Sequence, residues 1–190
     1  MKLCQTTYVI LGVLSFHPRQ SGYHIRKTIE GSVGYFWNES FGQIYPTLKK
    51  LLADGLIMED GPRGPKGSQE YSITEAGKNA LAEWLELPSR NAPPRNEFLL
   101  KLFFGMHAPP QVSLKHLEDF RRKIQEMLNQ LLELEKLAAE YSQHQPGSFY
   151  AMLTLDFGLA QLRSAMAWSE MAIDKISKLS EPAQKAEVEA

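Results

Sequence analysis

The sequence holds a single cysteine, so no internal disulfide can form. It holds no run of about 18 apolar residues, which excludes a membrane-spanning helix. Neither sign of charge dominates: 21 basic against 22 acidic residues leave a net charge of −1. The strongly basic balance that marks nucleic-acid binding at the level of composition is missing, so any such binding must come from local placement of charge. Catalytic signatures are absent too. There is no HExxH, CxxC, GxSxG, Walker phosphate loop or dinucleotide GxGxxG. His17, His24, His107, His116 and His144 are scattered, with no i, i+4 pair for a helical metal site. No enzymatic activity, no cofactor and no metal are expected.

What is present suits a folded chain. Hydrophobic residues make up 43% of the 190 residues and charged residues 23%, enough apolar content to offset chain entropy. The opening MKLCQTTYVILGVLSF has one basic residue and no small-residue cleavage site, and it runs into a helical pattern. It reads as a folded helix and not as a secretion signal, which makes the cytoplasm the expected location. Cys4 reads as a small packing residue beside that helix. Asn38-Glu39-Ser40 matches a glycosylation sequon by chance, since Ser40 has a capping task of its own.

Composition divides the chain. The stretch 88–95 (PSRNAPPR) holds three prolines and reads as a linker. It separates a mixed domain, 1–87, from a helical domain, 96–179, and the Ala, Glu and Lys-rich residues 180–190 read as a frayed tail. In the first domain Val9, Ile10, Val13 and Leu14 mark a first helix that ends at His17-Pro18. Ser21 caps a second helix carrying Tyr23, Ile25 and Ile29. A third opens at Ser40, three residues before Gln43 in a capping-box spacing, and carries Ile44, Leu48 and Leu51 at helical intervals. Gly55 ends it, with Leu56 folding back. IMED and QEYSIT then flank GPRGPKGS as a hairpin with a long tip, and Thr74 caps a fourth helix through Leu87.

The second domain is a helix pair. One helix from Ser113 to about Gln143 spans roughly 46 Å, with Leu117, Phe120, Ile124, Met127, Leu131, Leu134, Ala138 and Tyr141 in an a/d pattern. The other, Ser148 to Leu179, carries Met152, Leu155, Leu159, Leu162, Met166, Ile173 and Ile176, with Ser169 as the polar break. The short helix NEFLLKLFFG is apolar nearly all round, and a second subunit is its expected cover.

Local charge supplies the functional signal. With Ile44, Leu48 and Leu51 buried, about 100° per residue places Gly42, Gln43, Pro46, Lys49 and Lys50 on the outer face of the third helix. Glutamine can hydrogen-bond base edges, and lysine suits phosphate or guanine acceptors. Arg63 and Lys66 sit on the hairpin tip, where cations can displace counterions from DNA. Three helices, a hairpin and a helix are the layout of a winged helix-turn-helix, whose third helix enters the major groove. Pro46 leaves two geometries open, a kinked helix or one that starts late.

These residues resemble the PadR-like transcriptional regulators. YVILGVLSFHPRQSGYHIRK resembles the family's opening through Leu11, Gly12, Leu14, Ser21, Gly22, Tyr23 and Ile25. SFGQIYPTLKKLLADGLI carries Gly42, Ile44, Tyr45, Pro46, Leu48, Leu51, Gly55, Leu56 and Ile57 at the family's spacing. EYSITEAGKNAL follows through Tyr71, Ile73, Thr74 and Gly77. NEFLLKLFFG and the two long helices resemble the subgroup with an extended helical C-terminal domain. The resemblance implies a homodimer, mostly α with a small hairpin, that binds double-stranded DNA and represses transcription until a small molecule releases it. It implies DNA contacts by Tyr23, Ser40, Gln43, Tyr45, Lys49 and Lys50, with the wing at Arg63 and Lys66. Many members place basic residues before the second wing strand. Gln69 and Glu70 stand there in this chain, which weakens the expected wing contact.

The dimer is expected to be built by Phe98, Leu99, Leu102, Phe103, Phe104, Leu155, Leu159 and Leu162. A small aromatic or amphipathic effector is expected among Trp37, Met152, Phe157, Met166 and Trp168, with Arg121, Arg122 or Arg163 holding an anion. The alternative is the same winged fold used as a protein-docking module without DNA affinity, which the near-neutral charge favours.

Overall fold

In the computed structural model, which describes residues 4–37, 41–62, 68–89, 95–141 and 147–180, the chain divides into one unit over residues 1–92 and another over 93–190. The first unit runs α1 (Gln5–Phe16), β1 (Gln20–Ser21), α2 (Gly22–Gly31), a 3-10 turn (Phe41–Gln43), α3 (Ile44–Ala53), β2 (Ile57–Asp60), β3 (Glu70–Ile73) and α4 (Glu75–Glu86). Its core is aliphatic. Ile10, Leu11, Leu14, Ile25, Ile29, Ile44, Leu48, Leu51 and Ile57 are all at most 2% exposed, which joins the first three helices to the start of the hairpin. Tyr8 stacks on Trp84 with ring centroids 4.6 Å apart, tying α4 to α1.

The local punctuation follows chemistry visible in the sequence. The Ser21 hydroxyl accepts the His24 N–H at 3.3 Å and caps α2. Thr74 caps α4 by accepting from the Gly77 N–H at 3.1 Å, and it also donates to the Gly55 carbonyl at 2.8 Å. At the end of α3, Gly55 takes φ +68°. The Leu56 N–H bonds the Leu51 carbonyl and the Gly55 N–H bonds that of Leu52, which completes a Schellman ending.

Two expectations for this unit need correction. The hairpin is part of a three-stranded antiparallel sheet in the order β1-β3-β2, since Gln20 and Ser21 pair with Tyr71 and Glu70. Cys4 is exposed at the start of α1, not packed, with its sulfur 3.5 Å from the Thr7 hydroxyl. Partial burial pushes its thiol up, but hydrogen bonds from Thr7 and Thr6 outweigh this and leave it below the ordinary value.

The second unit contains α5 (Glu97–Phe103), a 3-10 turn (Gly105–His107), α6 (Pro110–Tyr141) and α7 (Ser148–Ser180). Helix α6 starts three residues before the expected Ser113, because Pro110 is pre-set for a first helical position. The two long helices run antiparallel: Phe120, near the start of α6, meets Trp168, far along α7, at 5.9 Å. Leu117, Ile124 and Leu131 on α6 and Leu155, Leu159, Leu162 and Ser169 on α7 are buried. Ser169 satisfies its hydroxyl on the Met166 carbonyl at 2.7 Å, so the polar break in the seam carries no unpaired group. Met127 departs from the expected stripe and is exposed. Tyr141 ends α6, and its side chain lies outside what is described. No described helix is long and apolar enough to cross a membrane.

Phe98 anchors α5. Its ring stacks on Phe120 at 4.5 Å and meets Trp168 edge-on at 6.1 Å. Replacing Phe98 with alanine removes both ring contacts and should destabilise the second unit by about 2–3 kcal/mol. Urea unfolding followed by Trp168 emission measures this, with Trp37 and Trp84 replaced by phenylalanine. A shift under about 1 kcal/mol would mean that α5 is held by something else.

Candidate nucleic-acid interface

The 3-10 turn over Phe41–Gln43 decides the geometry around Pro46. Helix α3 begins at Ile44, with Gln43 as its N-cap and no side-chain cap bond. Pro46 is therefore the third residue of the helix. Its missing N–H falls among the four that have no intrahelical partner in any case. The late start holds, and no kink is needed. The capping-box partner Ser40 lies outside the described residues.

Ile44, Thr47, Leu48 and Leu51 form the buried side of α3, and Gly42, Gln43, Tyr45, Pro46, Lys49 and Lys50 are exposed on the other. Tyr45 is 63% exposed, yet its ring has a seat. An ideal Cβ on Gly22 would lie 2.7 Å from Tyr45 Cε1 and 3.2 Å from Leu48 Cδ1. A Cβ there would push the Tyr45 ring aside, so glycine lets the ring seat against the start of α2. Tyr23 follows Gly22 and is 57% exposed beside that contact. The geometry thus brings Tyr23, Tyr45 and the α3 cations onto the α2–α3 pair.

Helix α3 differs from α2, α4, α5, α6 and α7 in carrying cations without any carboxylate of its own. Arg26 and Lys27 pair with Glu30 on α2, Lys78 with Glu75 on α4, Lys101 with Glu97 on α5, Arg122 with Asp119 on α6 and Lys178 with Asp174 on α7. Helix α3 contains no carboxylate, and among the described residues neither Lys49 nor Lys50 has an acidic partner. Some carboxyls elsewhere serve cations of their own helix. The guanidinium of Arg26 and the ammonium of Lys27 hold Glu30 below the usual carboxylate range, and Arg122 does the same to Asp119. Two unneutralised ammonium groups on an exposed helix face are fitted to an external anion.

The wing is β2 and β3, paired from Ile57–Ile73 to Asp60–Glu70. Arg63 and Lys66 lie outside the described residues. Gln69 closes the base with its amide donating to the carbonyls of Gly61, at 3.4 Å, and Glu70, at 3.2 Å. Arg19, which no sequence pattern singles out, lies 3.4 Å from the Asp60 carboxylate and 3.9 Å from that of Glu70.

The remaining site residues fall in three groups. Leu99, Phe103 and Phe104 are exposed, with Phe103 at 80%, and Leu102 is half-buried. Leu155, Leu159 and Leu162 are buried within the single chain against α6, so the expected dimer role does not fit them. Phe98 is likewise engaged inside its own unit. Phe157 and Trp168 line an open groove of about 770 Å³ with Asn96, Leu99, Phe120, Ala160, Gln161, Ser164 and Ala165. Met152, Arg163 and Met166 do not line it, Trp37 belongs to the first unit, and Arg122 is paired with Asp119 and Glu126.

Three helices, a wing and a fourth helix, with cations on the outer face of the third that have no acidic partner among the described residues, define the winged helix-turn-helix class. Comparison with known proteins narrows this. The model of the transcriptional regulator PadR-like family matches residues 10–83, and that of the virulence activator alpha C-terminal region matches 94–177. The Bacillus subtilis negative transcriptional regulator PadR is 32% identical over 180 residues, covering 90% of this chain and 97% of its own. The crystal structure of Bacillus subtilis PadR in complex with operator DNA is similar at a TM-score of 0.76 and 30% identity, over 90% of this chain and 98% of that one. The complex of the same protein with p-coumaric acid gives 0.73 and 31% over the same shares. The chain belongs to the PadR-like family of transcriptional regulators.

Proposed function

We propose that this protein is a cytoplasmic, homodimeric transcriptional repressor that binds operator DNA and is released by a small aromatic acid. The observation that carries the reading is the unpaired cationic face of α3, with Gln43, Tyr45, Lys49 and Lys50 exposed together. Lysines on this face hold phosphates, and Gln43 reads a base edge. Tyr23 and Ser40 contact the backbone beside it, and Arg63 and Lys66 do so from the wing. Repression and the effector class follow from the relative that is a negative regulator and binds p-coumaric acid. The groove with Phe157 and Trp168 supports such a ligand, since it offers aromatic walls and a few polar groups. The exposed Leu99, Phe103 and Phe104 support a dimer, because an apolar surface of this kind is covered in solution. Light scattering should give twice the chain mass of 21.5 kDa. The protein catalyses no reaction.

Fluorescence anisotropy with a fragment of the protein's own upstream region, and with unrelated DNA, tests this at several salt concentrations. Preferential binding upstream that weakens with salt is the expected result, and p-coumaric acid should release the complex. No binding even at low salt would replace the reading with a protein-docking module.

A further inference from the structure

We propose that Arg19 is a positioning residue of the DNA interface, which fixes the base of the β2–β3 wing and so sets where the wing tip meets DNA. The proposal rests on the DNA-binding reading above. Arg19 stands in the turn between α1 and β1 at φ +60°, the only residue other than glycine with positive φ among those described. L-residues avoid this region, so its surroundings must hold it there. They do so at three points. The Arg19 N–H donates to the Ser72 hydroxyl at 3.1 Å, and that hydroxyl donates to Asp60 Oδ2 at 2.6 Å. The Arg19 side chain reaches Asp60 Oδ1 at 3.4 Å and Glu70 Oε2 at 3.9 Å.

The need for a cation at this place is written in the register. Asp60 and Glu70 are direct cross-strand partners, the pair nearest the wing tip. Like charges directly opposite push strands apart. Arg19 lies within ion-pair distance of both and bonds the central strand through its backbone as well. Its planar guanidinium can serve two carboxylates at once, which a lysine ammonium does less well. Without it, the hairpin would splay where the tip begins.

The test uses the full chain with Arg19→Asn, since asparagine tolerates the left-handed region, and Arg19→Lys, which keeps the charge. In free protein, amide exchange over 57–60 and 70–73 should quicken about tenfold in R19N while α3 amides keep their rates. R19K should fall between R19N and the wild type. On the upstream fragment, the salt slope of R19N should drop by about 0.9 for each phosphate that the tip no longer reaches. That drop should vanish in an R63A/K66A background, because a residue acting through the tip has nothing left to position. Unchanged wing exchange in R19N overturns the clamp. A drop of equal size in the R63A/K66A background makes Arg19 a direct DNA contact and overturns the positioning role. A wild-type chain that binds no DNA sinks the reading above, and the exchange data still decide the clamp.

Discussion

Replacing Gly77 with alanine should lower the stability of the first unit by about 3 kcal/mol, as overpacking against backbone does. A Cβ built on Gly77 would lie 2.1 Å from the Leu56 carbonyl oxygen and 2.8 Å from Ile73 Cγ1. The carbonyl cannot easily retreat, because it accepts the Thr74 N–H at 3.1 Å. Helix α4 would have to lift from the hairpin base and strain the Thr74 cap, whose oxygen holds the Gly77 N–H. The higher helix propensity of alanine, about 1 kcal/mol, offsets only part of this. In a unit of this size, such a destabilisation should lower Tm by about 10–25 °C. Gly12→Ala is the control. It lies in α1, where an added Cβ meets nothing within 4 Å. That variant should gain a few tenths to about 1 kcal/mol from a less flexible unfolded chain. Thermal melts of the two variants separate the accounts: equal changes would refute the steric argument.

The contrast between these glycines shows where sequence reading stops. Both belong to stretches that resemble the family, and nothing local says that one lies against a carbonyl and the other against open space. Features fixed by neighbours in the chain are legible. The stripe of Ile44, Leu48 and Leu51, the caps at Ser21 and Thr74, and the ending at Gly55 each depend on residues within about one helical turn. Features fixed across the chain are not. Strand β1 has two residues, and one of them, Ser21, already reads as a cap. Arg19 bonds a hydroxyl 53 residues away, so no spacing rule reaches it.

The dimer residues illustrate a different limit. Periodicity finds the face of a helix that leaves water, but it does not say what covers that face. The apolar stripe of Leu155, Leu159 and Leu162 fits a second subunit as well as a neighbouring helix, and α6 of the same chain buries it. Leu99, Phe103 and Phe104 stay exposed in the single chain, so an apolar surface is left there for a partner to cover. Pro46 shows the reverse case. The capping-box spacing from Ser40 to Gln43 argues for an early helix start, and a 3-10 turn over Phe41–Gln43 supplies a late one.

Replacing Lys49 and Lys50 together with alanine should remove most of the electrostatic part of DNA binding while leaving the fold intact. Both are exposed, and among the described residues neither has an acidic partner to lose, so the melting temperature should hardly move. Each phosphate contact contributes about 0.9 to the slope of log affinity against log salt. Two lysines in each of two protomers should therefore flatten the slope by about 3.6. Between about 50 and 200 mM salt, the affinity of the wild type should fall about 150-fold more than that of the variant on this account. The weakening should be alike for operator and unrelated DNA, because phosphates carry no sequence. Gln43→Ala should act in the opposite sense, costing about 1–3 kcal/mol on the preferred sequence and little on others. Among the described residues its side chain makes no capping bond, and melting curves run beside the binding assay separate any loss of stability from loss of base reading. An unchanged slope in the lysine variant would take both residues out of the interface. A uniform weakening in Q43A would make Gln43 a phosphate contact and move sequence reading elsewhere on α3, with Tyr45 the next exposed side chain to test.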